Sequence, residues 1–175
     1  MNLDDYAMYA AQAPVMNAAW AFADAYWIRS DMRSTWGATH PCMRRRWAHA
    51  WLVALEEGPL LEGVDIATVV EAFAEDRVDH DLWEPFARDQ VNAISLAIDQ
   101  KTWGVEANPE VVACDVMLVR LVRLPLEGAK FQDEVRTSVS LLMQYDVRPG
   151  WRLLYALSEH IPTLASYSSL QRPAQ

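Results

Sequence analysis

Several things are scarce in this 175-residue chain. No run of about 20 apolar residues occurs, which argues against a membrane span. The strongest apolar run, 111–124, is broken by Asp115, Arg120 and Arg123. Only six glycines are present. None forms a phosphate-cradling loop, and there is no G-x-S-x-G elbow, so P-loop and α/β-hydrolase chemistry have no foothold. The two cysteines, Cys42 and Cys114, are too few for a disulfide framework and read as reduced thiols. Lysine is nearly absent, two against thirteen arginines, a bias that points to a GC-rich bacterial or phage genome. The first residues, MNLDD, are acidic where a secretory leader needs a basic start. We expect a cytoplasmic protein.

The abundant features are tryptophan, alanine and, in one region, acid. Net charge is −9 overall. Residues 61–115 hold three basic and thirteen acidic groups, so nearly all of the excess lies there. General attachment to nucleic acid is disfavoured, because phosphate binding needs local positive charge. An acidic middle solvates the fold, attracts a basic partner or mimics nucleic acid.

Capping signals punctuate the chain into helices. Pro14 divides a short helix from one reaching Arg29, and another opens at Pro41. Asp65 has N-cap chemistry, and Asp81 with Glu84 has capping-box spacing ahead of a helix running to Gly104. The stretch 109–124 is apolar nearly all round. It reads as a central buried helix, with its valines leaving a buried strand as the alternative. Helices over 127–146 and 151–160 complete an all-α, single-domain irregular bundle of six to eight helices across 1–162. A loose polar tail follows at 163–175.

Chemistry-bearing residues are sparse. His40, Cys42 and His49 form H-x-C-x6-H, but no zinc module has this spacing. A fourth ligand would have to come from His80, Cys114 or His160. Di-iron bundles need Glu-x-x-His pairs, which are absent, and Asp76 with His80 stands alone at i,i+4. No catalytic residue, metal or cofactor is expected.

The stretch THPCMRRRWAHAWLVALEE raises a different question. The helix dipole favours acids at the start and bases at the end, whereas Arg44, Arg45 and Arg46 open this helix and Glu56 and Glu57 close it. On a helical projection Arg44 falls inside the apolar arc. It needs either a buried acid, Asp115 or one from 62–89, or an escape of its guanidinium to water. We expect a structural ion pair of Arg44 with Asp115. Arg45 and Arg46 project outward.

Tryptophan and arginine are enriched in binding hot spots. Trp36, Trp103 and Trp151, which flank loops and helix ends, join Arg45 and Arg46 as candidate partner anchors. Glu71, Glu75, Asp76, Asp79 and Asp81 form the candidate acidic face. The expected function is a non-enzymatic protein-interaction module, a small acidic inhibitor, immunity or adaptor protein with a basic or nucleic-acid-binding protein partner. A DNA-binding regulator using Arg44–Arg46 with Arg29 and Arg33, or a small helical enzyme, are the other readings. A homodimer is compatible with all three.

Overall fold

The computed structural model describes residues 3–55, 61, 63–94, 96–124 and 138–157, with side chains from residue 11 onward. Five helices come first: α1 (Leu3–Ala23), α2 (Met32–Gly37), α3 (Pro41–Leu55), α4 (Ile66–Ala74) and α5 (Trp83–Asn92). Five strands follow: β1 (Trp103–Val105), β2 (Glu110–Ala113), β3 (Val116–Arg123), β4 (Ser138–Asp146) and β5 (Gly150–Leu157). The fold is therefore mixed α and β, and the all-α bundle is overturned.

The central helix expected over 109–124 is a hairpin of β2 and β3, turning at Cys114 and Asp115. The helix expected to reach Gly104 ends at Asn92, and the described parts of the helices expected over 127–146 and 151–160 belong to β4 and β5. Pro14 lies within α1 rather than dividing two helices. α1 runs on into a π-helical turn, Asp24–Ile28. The expected tail at 163–175, His160, Glu56 and Glu57 lie outside the described residues.

The sheet is antiparallel in the order β1–β3–β4–β5, with β2 also paired to β3. Because β4 occupies the other side of β3, β1 and β2 share one edge, against opposite ends of β3. They are two pieces of one edge strand, interrupted around Pro109, which cannot donate to a ladder. At the opposite edge, His40 N–H donates to Leu153 O at 2.8 Å and Leu153 N–H to Ala38 O at 2.9 Å. The segment leading into α3 thus covers part of β5.

Val119, Leu121, Val139, Leu141, Met143 and Leu153 are fully buried on the inner sheet face, which α1 crosses. Around α3 the core is aromatic. Trp36 has ring contacts with Trp47, Phe73, Trp83 and Phe86 at centroid distances of 5.0–6.2 Å. Indole N–H groups buried in such a core need acceptors. Trp36 Nε1 donates to Phe73 O at 2.8 Å, Trp47 to Gln90 Oε1 at 2.7 Å and Trp51 to Asp89 Oδ2 at 2.9 Å.

α4 begins where its sequence says it should. The Asp65 carboxylate accepts from Ala67 N–H and the Thr68 hydroxyl, which holds its pKa below the usual value. α4 ends in a Schellman closure, with Asp76 N–H donating to Phe73 O and Arg77 N–H to Ala72 O. The left-handed position in that motif normally goes to glycine, yet here it is Asp76, with φ of 68°. α5 starts without the expected capping box. No side chain caps its first turn, and the His80 ring instead accepts from Leu82 N–H.

Candidate partner-binding surface

The three arginines of α3 have three different environments. Arg44 is buried, with 4% of its side chain exposed. Its Nε donates to Trp36 O at 2.8 Å and its Nη1 to Ala74 O at 3.2 Å, while Nη2 lies 3.5 Å from Gly37 O. These are the last carbonyls of α2 and α4, groups that a helix cannot satisfy internally. The guanidinium thus bridges the negative ends of two helix dipoles. That favourable field explains a cation near the start of its own helix.

The acid beside Arg44 is Asp76, at 3.6 Å, and not Asp115. Asp115 sits in the β2–β3 turn, where its carboxylate accepts from Gln144 at 3.4 Å. The expected Arg44–Asp115 pair is therefore corrected to Arg44–Asp76, from the other group of acids considered. Burial pulls the Arg44 pKa down, Asp76 partly opposes this, and Arg152 adds to it.

Arg45 makes a two-pronged contact with Glu71. Its Nε lies 2.9 and 3.0 Å from the two carboxylate oxygens, and Nη2 is 2.8 Å from one of them. The hydrogen bond from Arg45 is the main reason that the Glu71 pKa is lowered. Arg46 projects outward and rests over the Tyr155 ring, 4.6 Å from its centroid. Among the described residues Arg46 has no salt bridge. Arg29 is paired with Asp24 at 2.7 Å and Asp31 at 3.1 Å, and Arg33 is exposed. Arg44 to Arg46 consequently do not form one basic face, as a DNA-reading helix would require.

Two of the three candidate tryptophans are core residues. Trp36 is fully buried and Trp103 is 5% exposed, so neither can anchor a partner on this surface. A loop-flanking position in sequence did not mean a surface position, because α2 and β1 both turn those rings inward. Trp151 is half-buried against Tyr145, with ring centroids 5.3 Å apart.

Glu71, Glu75, Asp76, Asp79 and Asp81 are all exposed, as is Glu84. Glu71 and Asp76 are engaged by Arg45 and Arg44. Glu75, Asp79, Asp81 and Glu84 form no salt bridge among the described residues.

His40, Cys42 and His49 do not gather. No group of three or more metal-ligand side chains exists among the described residues. His40 instead acts as a joint. Its Nδ1 accepts from Cys42 N–H at 3.2 Å at the start of α3, and its Nε2 lies 3.6 Å from Asp146, which Arg152 also binds. Burial lowers the His40 pKa, and Arg152, Arg44 and Arg45 reinforce this against the pull of Asp146. That shift favours the neutral imidazole, the form in which Nδ1 can accept. His40 before Pro41 marked a helix start in the sequence, but its contact with β4 had no local signal. Cys114 is exposed in the β2–β3 hairpin.

Compared with known proteins, the chain matches no family model, no curated protein and no solved structure. No described helix is long and apolar enough to cross a membrane.

Proposed function

We propose that the protein is a non-enzymatic interaction module of the small acidic inhibitor, immunity or adaptor kind, which presents its acidic face to a basic protein partner. The observation that carries this reading is the contrast between the two charge groups. Two of the three α3 arginines are answered inside the fold, whereas Glu75, Asp79, Asp81 and Glu84 are exposed without an ion pair among the described residues. These four carboxylates stand within ten residues against one basic group, the exposed Arg77, and a cationic surface would offset that excess of negative charge. They are also held in place. The Schellman closure of α4 holds Glu75, and buried Leu82 and Trp83 anchor the segment between Asp81 and Glu84. Ordered charges lose less entropy on binding than mobile ones.

The test is affinity capture from the native host at low and high salt. It compares wild type with a variant carrying E75Q, D79N, D81N and E84Q. A specific partner retained at low salt, released by high salt and lost by the variant supports the reading. A partner held equally by both proteins at every salt concentration refutes it.

A further inference from the structure

A shallow groove of about 570 Å³ runs along the outer side of α3. Arg45, Arg46, His49, Ala50 and Val53 line it, with Val70 from α4. Residues three and four apart share a helix face, so Arg46, His49 or Ala50, and Val53 form one stripe. Along that stripe the chemistry changes from cationic to apolar within about 10 Å.

The charge at the cationic end is not balanced locally. Arg44 is satisfied by the ends of α2 and α4, and Arg45 by Glu71. Arg46 has the Tyr155 ring but no carboxylate among the described residues, near the start of a helix whose dipole opposes it. An uncompensated cation beside an apolar floor, on a chain of net charge −9, is selective for one kind of ligand. Small-molecule sites typically combine an apolar lining with a few directing polar groups in a volume of roughly 300–1,000 Å³.

We propose that this groove binds a small amphiphilic carboxylate. The carboxylate meets the Arg46 guanidinium, with His49 beside it as a second polar contact. The apolar chain lies on Ala50, Val53 and Val70. The groove adjoins the acidic face through the Arg45–Glu71 pair but includes none of Glu75, Asp79, Asp81 and Glu84, and it does not depend on the function proposed above.

Calorimetric titration with decanoate below its micelle concentration tests this, with decanol and butyrate as single-feature probes. We expect saturable 1:1 binding of decanoate, and binding weaker by about tenfold or more for each probe. Arg46→Gln should weaken decanoate by a similar factor, and Val53→Glu should abolish binding. Arg33→Gln, remote in sequence and outside the groove, should leave binding unchanged. Far-UV circular dichroism and thermal melts establish that each variant is folded. Three results would overturn the proposal: no saturable binding to folded wild type, equal binding of decanoate and decanol, or binding unaffected by both groove variants. Self-association of wild type that Val53→Glu abolishes would also overturn it, by making the groove an interface between copies.

Discussion

Replacing Arg44 isolates the value of one cation shared by two helix ends. Arg44→Met keeps much of the volume but removes every donor. Ala74 O, at 3.2 Å, then loses its donor in a buried site, whereas Trp36 O loses the 2.8 Å bond from Arg44 but keeps Thr39 N–H at 3.0 Å. The unsatisfied Ala74 acceptor costs about 1–3 kcal/mol and the lost charged hydrogen bond to Trp36 O about 1.5–3 kcal/mol, a gross loss of about 2.5–6 kcal/mol. Removing the buried charge returns part of this, because the guanidinium was desolvated. We expect a net destabilisation of about 2–3 kcal/mol for Arg44→Met. Arg44→Ala should lose about 1 kcal/mol more through the cavity. Arg44→Lys, which keeps the charge but not the fork, should fall between Arg44→Met and wild type. Urea unfolding with an unchanged m value is the assay, and the Tm of Arg44→Met should drop by about 4–12 °C. Asp76→Asn supplies the contrast. The Asp76 side chain is half exposed, so its loss should cost less than about 1 kcal/mol. If Arg44→Met were as stable as wild type, or Asp76→Asn equally damaging, the assignment of Arg44 to the helix ends would be refuted.

The backbone at Asp76 has a second consequence. With φ of 68°, Asp76→Gly should be within about 0.5 kcal/mol of wild type, whereas Asp76→Val should cost more than about 1 kcal/mol, both read by thermal melts. His40 sets an expected pH dependence. Its folded pKa is lowered, so its contribution is present above the unfolded value of about 6.5 and is lost as pH falls below that value. Urea titrations on either side of that window should show the loss, and His40→Asn, which retains an acceptor for the helix start, should flatten it. Arg45 and Glu71 are both about half exposed. A double-mutant cycle of Arg45→Met and Glu71→Gln should give a coupling below about 1 kcal/mol that shrinks with added salt.

The helical half was legible because its signals are local. Asp65 caps α4 by side-chain chemistry, Pro41 opens α3, and the burial of Arg44 follows from its angle on the helix. The sheet was hidden by apolar residues on both strand faces. In β3, Val119 and Leu121 point into the core, while Val116, Leu118 and Val122 are half-buried on the outer side. That erases the period-two alternation and leaves a run that is apolar all round in any projection. β4 carried a clearer signal. Its serines alternate with Val139 and Leu141, interrupted only at Leu142. The partner of Arg44 was uncertain for another reason. Helix-end carbonyls are invisible in a list of residue types, so the search for a counter-charge favoured an acid. Trp36 was misplaced because its position beside a loop says nothing of the direction its ring takes.

The way α1 lies across the sheet also bears on how the chain is made. α1 contacts β1, β3, β4 and β5, elements that begin at residue 103 and beyond. On a ribosome, Phe22, Ala19 and Val15 emerge long before the surface that buries them. The strands pair largely with near neighbours, so the sheet can form quickly once synthesised, but the first helix has to wait for it. A nascent chain of about 100 residues would therefore carry an exposed apolar face, and that interval is when it is open to chaperone binding or aggregation.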